Sequence, residues 1–103
     1  MTPEQYKSIA KWQDEIFTKA TALSCANHLA EEVEELKWAL DSDDNDMSVT
    51  EEIADCFLLL IGVCNKFGLK YDDIVKIIND KMQINYTRKW GDINNNGYMK
   101  HIE

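Results

Sequence analysis

The sequence predicts an all-α fold, a four-helix antiparallel bundle, and three observations lead to this prediction. The chain of 103 residues contains one proline, Pro3, and four glycines, so residues that interrupt helices are sparse. Apolar residues recur at helical spacing in four segments. The connections between these segments are short, which favours antiparallel neighbours. A chain of this length is sufficient for one compact domain with a modest core.

The first two helices are predicted from their capping residues and apolar stripes. The first spans about Pro3–Ala22, since Thr2 can cap it and proline suits the first helical position. The second spans about Cys25–Leu40, with Ser24 as its cap. The acid-rich segment 41–46 should end it, because Asp and Asn favour turns and carboxylates oppose the dipole at a helix C-terminus.

The third and fourth helices have clear boundary signals. The segment Ser48–Glu51 fits a capping box at the start of the third helix, and Gly68 is well placed as its C-terminal cap. The fourth helix spans about Tyr71–Trp90. We therefore predict a helical domain over residues 1–91 and an irregular tail over residues 92–103.

Composition excludes several classes of protein. The net charge of −8 disfavours binding to nucleic-acid phosphates, so we expect no nucleic-acid partner. The longest apolar run, Ile53–Cys64, is too short to cross a membrane, which takes roughly 20 residues. The N-terminus lacks the pattern of a signal peptide. Three cysteines without a CxxC pair agree with a reducing compartment, so we expect a cytoplasmic protein.

Two pairs of acidic residues at i,i+3 spacing are candidate metal ligands. Glu32 and Glu35 border the apolar stripe of the second helix, and Glu52 and Asp55 lie on an apolar face of the third. The third helix is apolar on every side, so we expect Asp55 to be buried. A buried carboxylate is costly unless it is paired or binds a metal ion. If the two pairs face each other, the four carboxylates repel one another unless a cation lies between them. Because all four are oxygen ligands, they favour Mg²⁺, Mn²⁺ or Ca²⁺ over zinc.

The last helix carries a polar stripe of different character. Lys81, Asn85 and Arg88 fall within about 60° of one another at helical spacing. Two cations and an amide on one stripe suit phosphate oxygens. The alternative is a basic face that is simply solvated.

Three motifs together resemble a known family. Residues Glu31–Glu35 fit EExxE, and Glu52–Asp55 fit ExxD after 16 intervening residues. The segment Lys81–Gly91 fits KxxxNxxRxWG. Over about residues 9–91, the chain resembles the MazG-like, all-α nucleoside triphosphate pyrophosphohydrolases.

The resemblance implies a Mg²⁺-dependent hydrolysis of a nucleoside triphosphate to its monophosphate and pyrophosphate, with Mn²⁺ as an alternative ion. It implies that Glu32, Glu35, Glu52 and Asp55 bind the metal, and that Glu31 acts from outside the metal shell or orients a water molecule. It also implies a homodimer or homotetramer assembled through helices. Similarity to short phage-type and bacterial members favours deoxynucleotides. The candidate contacts to base or sugar are Trp12, Gln13, Phe17, His28 and Trp90, although core packing is an alternative for the aromatic residues.

A calcium-binding module is an alternative interpretation of the acidic loop. Asp41, Asp43, Asn45 and Glu52 occupy positions 1, 3, 5 and 12 of an EF-hand loop. Position 6, where a sharp turn requires glycine, is Asp46. The capping box would also start a helix within the loop.

Two further alternatives are a di-iron bundle and a non-catalytic helical interaction protein. His28 lies four residues before Glu32, but a di-iron bundle needs Glu-x-x-His on two helices, and the other histidine, His101, lies in the tail. An interaction protein would show no metal-dependent turnover.

Overall fold

Four α-helices form the regular structure of the described residues. The computed structural model describes residues 1–42, 46–94 and 97–102. Within these ranges the β-structure is limited to a single isolated bridge. The prediction of an all-α fold with four helices is confirmed. In chain order the helices are α1 (Pro3–Ile16), α2 (Ala22–Asp41), α3 (Asp46–Phe67) and α4 (Tyr71–Thr87).

Helix α1 begins as predicted and ends earlier than predicted. The Thr2 hydroxyl accepts a hydrogen bond from the Gln5 N–H at 3.1 Å, and Pro3 occupies the first turn. The helix ends at Ile16, where the Phe17 N–H still bonds to the Gln13 carbonyl. It stops before residue 22 because a second capping motif starts a new helix at that point.

The N-terminal cap of helix α2 is Thr21, whereas the sequence suggested Ser24. The Ser24 N–H donates to the Thr21 hydroxyl at 3.0 Å, and the Thr21 N–H donates to Ser24 Oγ at 2.8 Å. This reciprocal arrangement satisfies two main-chain N–H groups at once. The predicted start at Cys25 was therefore three residues late.

Helix α3 begins at Asp46, so the predicted start at a Ser48 cap was wrong. Its end agrees with prediction: the helix stops at Phe67, and Gly68 has a φ of +97°. The Leu69 N–H closes the terminus on the Cys64 carbonyl at 2.9 Å. Glycine is favoured at this position because the left-handed conformation is strained for other residues.

Helices α2 and α3 pack along much of their length and run antiparallel. Cys25, near the start of α2, lies against Gly62 in the second half of α3. A Cβ atom at residue 62 would lie 3.1 Å from Cys25 Sγ, so glycine allows a close approach of the two helices. Further along, Glu32 meets the first half of α3.

Helix α1 makes polar contacts with α3 at two points and with Leu69, just after the end of α3, at a third. The Tyr6 hydroxyl donates to the Leu69 carbonyl at 2.7 Å, and Gln13 Nε2 donates to the Leu58 carbonyl at 2.9 Å. Asp14 accepts from Lys66 at 2.8 Å, and this contact lowers the pKa of the Asp14 carboxyl. These contacts fix the register of α1, which runs antiparallel to α3.

The apolar surface of α3 is only partly covered in the single chain. Phe57 is 65% exposed and Leu60 is 49% exposed, so the expectation that α3 is buried on every side was wrong for one protomer. The physical reason is that α1 and α2 together cover only part of the helix circumference. None of the described helices has the length and apolar character needed to cross a bilayer.

The chain divides into two compact units, Met1–Asp72 and Asp73–Glu103. In the second unit, α4 ends at Thr87, three residues before the predicted end. The chain then forms a C-terminal hairpin (residues 89–94 and 97–102), in which Trp90 and His101 form an antiparallel bridge. The bridge is flanked by two 2.9 Å main-chain hydrogen bonds, from Gly91 N to Lys100 O and from Ile102 N to Lys89 O.

Candidate active site

Helices α2 and α3 bring three carboxylates together. Oxygen atoms of Glu32, Glu52 and Asp55 all lie within 4.8 Å of one another. The i,i+3 spacing places Glu52 and Asp55 on one face of α3, and this face is turned toward Glu32 on α2. The Glu32 side chain is only 17% exposed, because α3 packs over it.

Glu35 joins this cluster from the next turn of α2. Its pKa is raised above the usual value, mainly by the charge of Glu32 and then by a hydrogen bond with the same residue. Glu35 also interacts with Glu52 and with the charge of Asp55. The structure thus brings together all four residues that the sequence proposed as metal ligands.

Two carboxylate oxygens of the cluster are enclosed without a hydrogen-bond partner in the described part of the chain. They are Oε2 of Glu32 and Oε2 of Glu52. Loss of hydration raises the pKa of Glu52 to about 7, and contacts with Glu32 and the charges of Glu35 and Asp55 act in the same direction. Four acids in this arrangement are unfavourable as bare anions, and a divalent cation would supply the missing partner.

The donor set of the cluster fits a hard cation. The pKa of the neighbouring Cys56 thiol is raised by burial and by the charges of Glu32, Glu52 and Asp55, so the thiol stays protonated. A protonated thiol is a poor metal ligand, and the cluster therefore offers oxygen atoms. Cys56 lies four residues after Glu52 and hence on the same face of α3.

His28 lies beside the cluster. Its Nε2 is 3.3 Å from Oε1 of Glu32, one helical turn further along α2. A histidine in this position can orient the carboxylate without binding the metal. This contact does not support the di-iron alternative, which requires a second histidine, since the acidic cluster found among the described residues contains none.

Asp55 is exposed in the single chain, so the prediction of a buried carboxylate was wrong. The side of α3 that carries Asp55 opens onto a pocket of about 250 Å³. The walls of the pocket are Trp12, Gln13, Phe17, His28, Glu32, Asp55, Leu58 and Leu59. A pocket beside the carboxylates provides access for a ligand, which a fully buried cluster would not.

Four of the five candidate base or sugar contacts line this pocket. Trp12 and Phe17 are about half-exposed, so they are not core residues of the single chain, and their rings meet edge to face with centroids 5.6 Å apart. Gln13 is buried, and its Nε2 is held by the Leu58 carbonyl. Its Oε1 has no hydrogen-bond partner among the residues that the structure describes. The fifth candidate, Trp90, belongs to the C-terminal unit.

The other predicted site residues are placed as follows. Glu31 is exposed on α2 beside Glu32, and its role stays a prediction. Lys81 is exposed on α4, whereas Asn85 and Arg88 are half-buried within the C-terminal unit. The Arg88 guanidinium lies 3.4 Å from Nδ1 of His101. Phosphate binding by these three residues also stays a prediction.

The structure argues against the calcium-binding alternative. Asp43 and Asn45 lie outside the described residues, but α3 begins at Asp46, which would be position 6 of the loop. The carbonyl at position 7, which an EF-hand uses as a ligand, would then belong to a helix. Glu52, position 12, instead faces Glu32 and Asp55.

The fold and the site together define a class of protein. An all-α chain in which two helices pool acidic side chains beside an open pocket is suited to divalent-cation chemistry on an anionic substrate. A family model described as dATP/dGTP pyrophosphohydrolase matches residues 5–103. The chain belongs to this family and is a nucleoside triphosphate pyrophosphohydrolase.

A solved structure supports the same assignment. The MazG-like pyrophosphohydrolase of cyanophage S-2L, described as bound to dGDP and three catalytic Mn²⁺ ions per active site, matches with a TM-score of 0.78 at 28% identity. The match covers 100% of this chain and 95% of the phage chain. The comparison with curated proteins gave no match. The MazG-like resemblance inferred from the sequence motifs is confirmed.

The raised pKa of Glu52 predicts a pH dependence of folding when divalent ions are removed. Glu52 has a usual pKa of 4.5 and a folded-state pKa of about 7, so the folded protein retains this proton more tightly than the unfolded chain. Stability in EDTA should therefore decrease as the pH rises from 4.5 to about 7. Urea unfolding across this range measures the effect.

Glu52→Gln should flatten this dependence, because the amide carries no charge at any pH. Glu34→Gln is the matched control, since Glu34 is exposed and lies 3.4 Å from Lys37 on the solvent side of α2. Equal pH dependence of the wild type and Glu52→Gln would show that the cluster is not electrostatically strained.

Proposed function

We propose that this enzyme hydrolyses the purine deoxynucleotides dATP and dGTP to their monophosphates and pyrophosphate, with Mg²⁺ or Mn²⁺ held by Glu32, Glu35, Glu52 and Asp55. The observation that carries the proposal is the convergence of these four carboxylates, two of which keep an enclosed oxygen without a partner among the described residues. The family description and the dGDP and Mn²⁺ bound by the phage relative support the substrate and the cofactor.

The four carboxylates concentrate negative charge at one place, so this place can bind divalent ions. Divalent ions bound there would neutralise the phosphate chain and lower the pKa of a coordinated water molecule. Without such ions, an acidic cluster on a chain of net charge −8 would repel a triphosphate. His28 holds Glu32 in position through its 3.3 Å contact.

The reaction itself is a displacement at the α-phosphorus. A water oxygen attacks the α-phosphorus and its proton passes to the solvent. The bond from that phosphorus to the α–β bridging oxygen breaks, and pyrophosphate leaves with the bond electrons. Glu31 is exposed beside Glu32, and we assign to it the orientation of the attacking water. Pyrophosphate, and not single phosphate, is therefore the expected product.

The pocket next to the cluster is proposed to hold the base. Trp12 and Phe17 present half-exposed aromatic surface on which a purine can stack. Gln13 is anchored by the Leu58 carbonyl and retains an acceptor oxygen, Oε1, for which the described residues offer no donor. His28 completes the wall on the side of the carboxylates.

The proposed phosphate-binding residues are Lys81 and Asn85 on α4 and Arg88, which lies just beyond the end of this helix. Lys81 is exposed and carries its positive charge at the end of a flexible side chain, whereas the Arg88 guanidinium offers several N–H donors in a planar arrangement. Asn85 keeps its Oδ1 enclosed and without a partner in the described ranges, and its amide contacts Met82 Sδ at 3.9 Å. The support for this assignment is the proximity of these residues along the chain, at the end of α4, and the match of Lys81–Gly91 to the family motif.

A homodimer or homotetramer is proposed from the exposed apolar stripe of α3, formed by Ile53, Phe57 and Leu60. These side chains are 40–65% exposed and recur at i, i+4 and i+7, on the side of α3 away from Glu52 and Asp55. A contiguous apolar stripe on a helix is typical of a protein–protein contact. No nucleic-acid partner is expected from the net charge, and a cytoplasmic location stays a prediction from the cysteine pattern.

Substitution of the cluster tests the catalytic proposal. Glu52→Gln and Asp55→Asn should each lower kcat/KM for dATP by at least about a hundredfold, because each removes a charged metal ligand. Pyrophosphate release in Mg²⁺, in Mn²⁺ and in EDTA measures the effect, and circular dichroism checks the fold. Glu34→Gln is the control within α2.

A double variant separates the calcium-binding alternative. Asp41→Asn combined with Asp43→Asn should leave pyrophosphate release close to that of the wild type. Turnover that survives EDTA, or that is lost in the double variant and retained in Glu52→Gln, would contradict the proposed metal centre.

Aromatic stacking in the pocket is tested at Trp12. Trp12→Ala should raise the KM for dATP and dGTP by about tenfold, whereas Trp12→Phe should stay within about threefold, because an aromatic face is kept. Steady-state kinetics with the four deoxynucleotides measure the effect. An equal loss in both variants, or a loss of kcat alone, would place the base elsewhere.

The oligomeric state is tested at Phe57. Sedimentation equilibrium should give a dimer or tetramer for the wild type, and Phe57→Glu should weaken association by at least about tenfold because it places a charge on an apolar contact. Phe57→Leu keeps the apolar surface and is the matched control. A monomeric wild type would contradict the proposal.

A further inference from the structure

The C-terminal hairpin places the His101 side chain next to Trp90. The two 2.9 Å main-chain hydrogen bonds that flank this pair are made by the neighbouring residues and not by the pair itself. Residues paired in this way point their side chains to the same face at short range. The two rings accordingly meet edge to face, with centroids 5.9 Å apart and planes at 89°.

His101 also contacts Arg88. The distance from Arg88 NH1 to His101 Nδ1 is 3.4 Å. Arginine has only donor groups, so Nδ1 must act as the acceptor in this hydrogen bond.

One hydrogen bond joins the C-terminal hairpin to α4. The Trp90 indole N–H donates to the Asn85 carbonyl at 3.2 Å. Asn85, Arg88, Trp90 and His101 thus form one connected group within the C-terminal unit. Three of the four belong to the KxxxNxxRxWG motif, and the fourth is contributed by the tail, 13 residues after Arg88.

We propose that His101 is a positioning residue that holds the Arg88 guanidinium ready to bind a substrate phosphate. The inference rests on the proposed phosphate-binding role of Arg88. One N–H of the guanidinium is used by His101, and four remain for phosphate oxygens. A long side chain loses rotamer freedom when it binds a ligand, and a side chain already held in place loses less. The tail would therefore contribute to substrate affinity without touching the substrate.

Two substitutions at residue 101 separate the hydrogen bond from ring packing. His101→Phe keeps an aromatic ring against Trp90 and removes the acceptor. His101→Asn removes the ring and keeps an acceptor, since its Oδ1 can occupy the place of Nδ1. We expect His101→Phe to raise the KM for dATP by about three- to tenfold with a smaller change in kcat, and His101→Asn to stay near the wild type. The assay is pyrophosphate release from dATP with saturating Mg²⁺.

Arg88→Ala distinguishes failure of this inference from failure of the proposed function. If Arg88→Ala leaves KM unchanged, the proposed phosphate-binding role of Arg88 is wrong. The inference about His101 is then wrong as well, because it depends on that role. If Arg88→Ala raises KM and His101→Phe does not, only the inference about His101 is wrong. In the Arg88→Ala background, His101→Phe should have no further effect on KM, because the group that it positions is gone.

A structural role for the ring gives a different pattern. In that case His101→Asn is impaired while His101→Phe is normal, or both variants lose stability and shift the tryptophan fluorescence. Either pattern would overturn the inference. Thermal unfolding and fluorescence spectra are therefore recorded for each variant together with KM and kcat.

Discussion

The mutual repulsion of four carboxylates between α2 and α3 is the constraint on which the site depends. Glu32, Glu52 and Asp55 lie within 4.8 Å of one another, and Glu35 interacts with the same group. Burial of one oxygen each on Glu32 and Glu52 makes this repulsion stronger, since water does not screen it. The helix pair can hold such a cluster because other contacts stabilise it, namely the close approach of Gly62 to Cys25 and the hydrogen bond from Gln13 on α1 to Leu58 on α3. Helix packing thus holds the negatively charged side chains close together, and a divalent ion is proposed to neutralise them.

The same packing explains where the pocket lies. Helix α1 is held against α3 by Gln13, and this side chain forms part of the pocket wall beside Asp55. Trp12 and Phe17, at the end of α1, are about half-exposed and line the same pocket, where they are proposed to stack on the base. The end of α1 therefore packs against α3 through the Gln13 amide and forms the pocket wall through Trp12 and Phe17. The phage relative is described as bound to both dGDP and Mn²⁺ ions, which supports the proposal of a metal cluster and a nucleotide pocket in this chain.

Several errors in the sequence-based boundaries have a common cause. Thr21, Ser24 and Ser48 are all residues that favour helix starts, and local propensity does not decide which one is used. At α2 the reciprocal contacts of Thr21 and Ser24 select the earlier residue, whereas Ser48 lies inside α3. The burial of Asp55 was also wrongly predicted, because an apolar α3 suggested a helix covered on all sides. In the single chain α1 and α2 leave Phe57 and Leu60 exposed, and a second protomer is the proposed cover.

The sequence by itself determined the helix content, the glycine end of α3, the family motifs and the four acidic residues, because periodicity and spacing along one helix fix which side chains share a face. Only the tertiary structure decided that the two acidic pairs face each other, that Trp12, Gln13, Phe17 and His28 line one pocket, and that His101 reaches Arg88. Those facts depend on contacts between residues far apart in the chain. Such contacts are set by helix packing and strand pairing, and no local pattern in the sequence specifies them.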